Sequence, residues 1–151
     1  MVKLIDYGFS VVVCNQQRLK VFCGTPSYMS PEIVRKHEYD GKPVDMWALG
    51  VLLYVMLTGT FPFRGVSESD LYQKIQRGHY KQNHDTLNRE AKRVISRLLD
   101  TDYRRRMTAD ELVNDPYIKC EDIRLTVFEK AGSIQRTAVS DMNNSNSRRF
   151  K

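Results

Sequence analysis

The sequence has few cysteines and no signal-peptide pattern, and these two absences exclude the secreted disulfide-rich proteins. Cys14, Cys23 and Cys120 are widely spaced, which fits neither a disulfide framework nor a CxxC metal site. The first ten residues carry charged side chains among the apolar ones, unlike the apolar core of a signal peptide. We therefore expect a protein of a reducing, intracellular compartment, the cytoplasm in the first place and the nucleus as the alternative.

Only one long stretch of the sequence lacks charge, and it raises the question of a membrane span. Residues 46–63 are 18 residues without a charged side chain, close to the length that crosses a bilayer. Gly59 and Pro62 interrupt this stretch near its end, and Asp45 precedes it. The centre of a large helical domain also requires a helix that is apolar on every side. We predict a buried core helix here and no membrane span.

The excess of positive charge is too small over most of the chain to indicate a nucleic-acid partner. The 151 residues carry a formal net charge of +6. Up to Ile118 there are 17 Lys and Arg against 14 Asp and Glu, and from Lys119 onward there are 7 against 4. A nucleic-acid-binding domain concentrates its basic residues on one face. We expect no nucleic acid to bind this chain.

The predicted elements are a short strand, a long irregular segment and then helices, so the predicted fold class is mainly α. Residues 2–5 are rich in β-branched side chains and alternate in polarity, which predicts a strand, and Gly and Pro interrupt the stretch that follows. Capping and helix-stop signals predict helices from about Ser30 and over residues 44–57, 67–77, 88–99 and 108–113. From about residue 130 the composition predicts disorder.

Three short motifs follow one another at the spacing of a known family. Asp6-Tyr7-Gly8, Ser30-Pro31-Glu32 and DMWALG at residues 45–50 resemble the DFG, APE and DxWxxG landmarks of eukaryotic protein kinases. FCGTPSY at residues 22–28 and LDTDYRRR at residues 99–106 agree with the same family. The resemblance covers roughly residues 2–118. It is strongest to the calcium/calmodulin-dependent group and, within that group, to the AMP-activated and microtubule-affinity-regulating kinases.

The resemblance implies the carboxy-terminal lobe of a serine/threonine protein kinase, without the amino-terminal lobe. The implied parts are a short N-terminal strand, an activation segment and a helical bundle. Residues 1–118 would form this partial kinase domain, and residues 119–151 would be a tail. The implied reaction is the ATP-dependent phosphorylation of serine or threonine in protein substrates.

The resemblance also implies roles for the residues of the activation segment. Asp6 would be catalytic and would hold the Mg²⁺ that bridges the phosphates of ATP. Gly8 would turn the backbone sharply behind it, beside the same cofactor. Thr25 would contact both the catalytic machinery and the substrate, and Pro26 and Tyr28 would join it in binding the substrate.

Further residues are implied to hold this segment in place. Glu32 and Arg106 would form a buried ion pair that fixes it to the helical body. Asp45 would fasten the backbone of the catalytic loop, and Trp47 would fill the core. Val21 stands where many relatives have a threonine whose phosphorylation orders the loop, and because valine cannot accept phosphate we expect no activation at that position.

Two questions stay open from the sequence. Leu71 and Ile75, on the helix predicted over residues 67–77, either form an exposed apolar patch for a regulatory protein or pack inside the domain. The 151 residues also contain no GxGxxG, VAIK or HRDxxxxN motif, each of which positions nucleotide or acceptor in this family. We therefore expect the chain alone to be inactive. It is either part of an active kinase, which we favour, or a short binding module, or part of a pseudokinase scaffold.

Overall fold

The fold of the described residues is mainly helical, and the predicted fold class is confirmed. The computed structural model describes residues 3–14, 17–82 and 85–119, and the disorder predicted from about residue 130 lies outside them. Within this part the helices are α1 Pro31–Val34, α2 Gly41–Thr58, α3 Glu68–Arg77, α4 Arg89–Leu98, α5 Ala109–Asn114 and α6 Pro116–Lys119, and a 3-10 turn covers Pro26–Tyr28.

Helix α2 is the centre of the fold. Its side chains at Trp47, Val51 and Tyr54 are almost completely buried. The apolar face of α4 packs against it, and Gly50 permits a close approach, because a Cβ at that position would lie 2.7 Å from the Cβ of Leu98. The core helix predicted from the uncharged stretch is therefore confirmed. None of the helices in the described residues is long and apolar enough to cross a membrane.

The helix ends follow the predicted capping signals. The side chains of Ser67, Asn88 and Thr108 each accept a hydrogen bond from a backbone N–H in the first turn of α3, α4 and α5. Gly78 ends α3 in the left-handed conformation, with φ of 67°, where glycine is least strained. Helix α2 begins three residues earlier than predicted, because the carboxylate of Asp40 caps it.

The predicted N-terminal strand is wrong for the residues that are described. Lys3, Leu4 and Ile5 are not in a strand, and Leu4 and Ile5 are 82% and 81% exposed. A strand requires a neighbour that takes up its backbone hydrogen bonds, and no described residue pairs with this stretch. Backbone pairing occurs instead between Leu19 and Tyr39, which form an antiparallel bridge.

Candidate functional site

A buried ion pair attaches helix α1, and with it the residues directly before α1, to the helical body. Arg106 donates from Nη1 and Nη2 to Oε1 and Oε2 of Glu32 at 2.7 and 3.0 Å. The Arg106 side chain is completely buried, and that of Glu32 is 9% exposed. Two parallel hydrogen bonds between a guanidinium and a carboxylate are strong and fix the geometry of both groups. Helix α1, which carries Glu32, is therefore fixed to a residue 74 positions later in the chain.

The remaining donors of Arg106 extend this attachment to two other elements. Nη1 also donates to the backbone carbonyl of Pro43 at 2.7 Å, and Nε donates to that of Asp100 at 3.1 Å. The guanidinium carbon lies 5.1 Å from the ring centroid of Trp47, within the range of a cation–π contact. The Trp47 ring in turn stacks on Phe63 at 5.4 Å. Arg106 thus joins helix α1, the start of α2 and the loop before α5.

Residues 19–22 lie along the stretch that connects α1 to α2. Leu19 and Tyr39 exchange two backbone hydrogen bonds of 2.8 and 3.0 Å, and the Tyr39 hydroxyl donates to the carbonyl of Val21 at 2.8 Å. Lys20 and Glu38 form an ion pair of 2.7 Å, but both side chains are exposed and the pair contributes little. The backbone around Val21 is therefore held by hydrogen bonds that do not involve the side chain at position 21.

The predicted substrate-binding residues lie together at the 3-10 turn, two within it and one directly before it. Thr25 is exposed and precedes the turn, and its carbonyl accepts a hydrogen bond from the N–H of Tyr28 at 2.9 Å. The Thr25 side chain does not cap the turn, and Pro26 is the first residue within it. The Tyr28 ring packs edge to face on Phe61 at 5.5 Å. The Thr25 side chain therefore lies at the surface, on a turn that is anchored to the body by Tyr28.

Asp6 lies at the surface in an unusual backbone conformation. Its φ is 61°, in the left-handed region that costs a non-glycine residue about 1–3 kcal/mol and is frequent at functional sites. Its Oδ1 accepts a hydrogen bond from the N–H of Gly8 at 3.4 Å. In the described residues no hydrogen bond joins Asp6 to Thr25, Pro26 or Tyr28.

Among the residues that the structure describes, Asp6 is a single carboxylate rather than part of a metal-binding cluster. No group of three or more His, Cys, Asp or Glu side chains that could hold a metal ion occurs in residues 3–14, 17–82 and 85–119. Mg²⁺ binds through one or two carboxylates, the phosphates of its substrate and several waters, without an all-protein cage. The carboxylate of Asp6 is therefore an oxygen donor of the kind that Mg²⁺ takes when it arrives with a nucleotide.

Asp45 lies in the first half of α2 and is exposed to solvent. No side chain or N–H of the described residues donates a hydrogen bond to its carboxylate. Loss of hydration around the carboxyl group nevertheless raises the pKa of Asp45. The implied role of Asp45 in fastening a catalytic loop thus has no partner in the part of the chain that the structure describes.

The exposed patch considered at Leu71 and Ile75 is wrong. Ile75 is completely buried, and Leu71 is half-buried against the core. Helix α3 turns both side chains toward the body of the domain. The packing alternative is therefore the correct one for these two residues.

Two anchors of the fold were missed in the sequence. Arg93 donates two hydrogen bonds of 2.9 and 2.7 Å to Asp115, whose carboxyl also caps the unpredicted helix α6 by accepting from the N–H of Tyr117. Asp115 directly before Pro116 is a helix-start signal that could have been read. The contacts of Tyr39 with Leu19 and Val21 leave no such signal, because they join residues of two irregular segments.

The comparisons with known proteins agree with the motifs. The model of the protein kinase domain matches residues 1–118. The chain is 43% identical over 117 residues to the probable serine/threonine-protein kinase MARK-A of Dictyostelium discoideum. It is 45% identical over 121 residues to the delta subunit of calcium/calmodulin-dependent protein kinase type II of Oryctolagus cuniculus.

Each of these two matches covers 78% of the chain, but only 11% of the first relative and 22% of the second. The chain thus spans about a tenth and about a fifth of the length of these relatives. The helical fold of the described residues corresponds to the carboxy-terminal lobe of a kinase domain. The chain therefore belongs to the protein kinase family.

Proposed function

We propose that the chain is the substrate-facing part of a serine/threonine protein kinase that uses ATP and Mg²⁺ to phosphorylate protein substrates. The observation that carries the proposal is the buried bidentate pair of Glu32 and Arg106. It holds one end of a segment whose other end carries Asp6 and which carries Thr25 seven residues before Glu32. A loop that is irregular yet anchored by a buried charge pair is suited to present side chains in fixed positions.

In this proposal Asp6 supplies the protein oxygen for the Mg²⁺ that accompanies ATP. The cation, when bound, neutralises the charge that develops on the phosphates during transfer. The left-handed backbone at Asp6 supports this role, because such strain persists where a side chain must be aimed. Gly8 supports it through its backbone, since its N–H donates a hydrogen bond to Oδ1 of Asp6 at 3.4 Å.

Thr25, Pro26 and Tyr28 are proposed to receive the substrate next to the residue that is phosphorylated. The Thr25 side chain is at the surface and does not cap the turn that follows it, so its hydroxyl can bond to a substrate or to a catalytic group. Pro26 fixes the backbone of the turn, and Tyr28 anchors it on Phe61. The Gly-Thr-Pro sequence favours serine or threonine as the acceptor over tyrosine.

For the chain alone we expect no phosphate transfer. One carboxylate cannot both position ATP and orient an acceptor hydroxyl, and the 151 residues hold no GxGxxG, VAIK or HRDxxxxN motif. The same observation favours a second candidate function, in which the chain serves as a non-catalytic binding module or as part of a pseudokinase scaffold.

The acceptor preference of the longest reading frame that contains this chain separates these functions. One peptide in three versions, with Ser, Thr or Tyr as the only acceptor, is incubated with that protein and Mg-ATP. We expect the Ser or Thr version to be phosphorylated at least about tenfold faster than the Tyr version, and the isolated chain to transfer nothing. A preference for Tyr would contradict the assignment, and a folded but inactive protein would favour the scaffold.

A further inference from the structure

An open cavity lies on the side of the domain where α2 and α3 end. Its volume is about 650 Å³. The rings of Tyr54, Phe61 and Tyr80 line it, and the rings of Tyr54 and Tyr80 are packed edge to face at 5.9 Å. Burial raises the pKa of Tyr80 to about 12, so this phenol stays neutral at physiological pH. The cavity thus has aromatic walls that carry no charge.

The charged side chains that line the cavity are cationic. They are Arg64, Lys74 and Lys81, and no Asp or Glu of the described residues lines the cavity. Lys74 is already bound to Asp70 at 2.8 Å. Arg64 and Lys81 are exposed, and no carboxylate of residues 3–14, 17–82 and 85–119 forms an ion pair with either. Uncompensated charges of one sign beside apolar walls create a potential that attracts an anion.

The cavity shares one wall residue with the turn that is proposed to receive the substrate. Phe61 forms part of the cavity wall and also packs on Tyr28 at 5.5 Å. A peptide held at Thr25 and Tyr28 would therefore bring its flanking residues close to the cavity. This proximity favours an extended peptide as the occupant over a free anion.

We propose that the cavity binds an acidic segment of a protein substrate, at a distance from the residue that is phosphorylated. Arg64 and Lys81 would pair with its carboxylates, and the aromatic walls would pack against the apolar parts of the same segment. The inference rests on the proposed function for its peptide substrate. It adds to that function a preference for acidic residues in the substrate, which the kinase motifs by themselves do not predict.

Peptide binding to the 151-residue chain tests this inference without any phosphate transfer. The probe is a fluorescein-labelled peptide with four glutamates around one phenylalanine, and its match has glutamines in their place. Anisotropy at low salt is expected to show that the glutamate peptide binds about tenfold more tightly, the effect of two partly exposed ion pairs. Equal affinities for the two peptides would overturn the proposal.

Two double variants locate the binding site. Arg64→Gln with Lys81→Gln is expected to weaken binding of the glutamate peptide about tenfold. The control is Lys42→Gln with Arg89→Gln, which removes the same charge from two exposed positions outside the cavity and is expected to change binding less than about twofold. Equal losses in the two double variants would show general charge attraction and overturn the site.

Two further measurements test the remaining alternatives. Arg64→Lys with Lys81→Arg keeps both charges, and its affinity for the glutamate peptide is expected to stay within a few-fold of the wild-type affinity. A loss of affinity equal to that of the glutamine variant would contradict a site that recognises charge. Inorganic phosphate, at constant ionic strength, is expected not to displace the peptide. Displacement by phosphate would identify a site for free anions and overturn the peptide assignment. Because no phosphate is transferred, either failure leaves the acceptor assay of the proposed function unaffected.

Discussion

Replacement of Arg106 by methionine tests the ion pair that attaches the candidate site to the helical body. The change removes two hydrogen bonds to Glu32 and two to backbone carbonyls, and it leaves the Glu32 carboxylate buried without a partner. Removal of one member of a buried pair costs about 3–5 kcal/mol. Because a domain of this size has a total stability of about 5–15 kcal/mol, we expect a large fraction of it to be lost.

The assay is equilibrium unfolding in urea, followed by circular dichroism and by the fluorescence of Trp47. Trp47 is the single tryptophan of the chain and is completely buried under the guanidinium of Arg106, so its emission reports on this site. The control is Arg105→Met. The Arg105 side chain is 70% exposed and pairs with Asp100 at 3.2 Å, so we expect a loss below about 1 kcal/mol.

A second variant separates the charge pair from the packing of the arginine side chain. In Glu32→Leu with Arg106→Met both buried charges are absent, and such replacements are often close to neutral. We expect the double variant to be at least about 2 kcal/mol more stable than Arg106→Met. If Arg106→Met does not fold, Arg106→Lys, which keeps the charge but lacks the planar fork, is expected to lose about 1.5–3 kcal/mol. A loss for Arg106→Met no larger than that for Arg105→Met would refute the reasoning.

Three further predictions concern the packing around the site. Ser30→Ala is expected to raise the free energy of unfolding by about 1 kcal/mol, because the Ser30 hydroxyl is buried without a hydrogen-bond partner in the described residues. A lower free energy of unfolding for the variant in urea would contradict this. Gly50→Ala is expected to cost about 1–3 kcal/mol, because its methyl group would meet Leu98, and a neutral change in thermal unfolding would show that α2 and α4 pack less closely. Arg93 donates hydrogen bonds to Asp115 and thereby lowers the pKa of the Asp115 carboxyl. The pair therefore stabilises the fold fully above the ordinary carboxyl pKa of about 4. This stabilisation is lost as the pH falls through the lowered pKa. Wild type and Asp115→Asn should therefore differ by about 1–2 kcal/mol at pH 7, and the difference should shrink as the pH falls through the lowered pKa, whereas a difference that stays constant into the acid range would exclude the pair as its origin.

The helical part of the fold could be predicted because its signals are local. Ser67, Asn88 and Thr108 stand directly before the helices that they cap, and the uncharged stretch in α2 identifies the core without any knowledge of its neighbours. The 3-10 turn at Pro26–Tyr28 was not predicted, although Pro26 at its start is consistent with it. The predicted strand was wrong for Lys3, Leu4 and Ile5, because a strand depends on a partner that a local pattern cannot supply.

The candidate site depended on long-range contacts that only the structure provides. The Gly8 and Thr25 positions could be selected from their motifs, but the motifs do not reveal that Arg106 also donates to the carbonyls of Pro43 and Asp100. The same limit applied to α3. Its apolar residues suggest a face, yet whether Ile75 faces solvent or core is decided by the elements packed around it.

The central claim, that Asp6 holds the cation of a phosphate-transfer site, is tested most directly by Asp6→Asn in the longest reading frame that contains this chain. Its rate of phosphate transfer to a serine peptide with Mg-ATP is compared with that of wild type and of Asp110→Asn, an exposed aspartate in α5. We expect Asp6→Asn to lose at least about a hundredfold in rate, the equivalent of about 2.7 kcal/mol, and Asp110→Asn to retain the wild-type rate. An active wild-type enzyme whose rate is unchanged by Asp6→Asn would contradict the account.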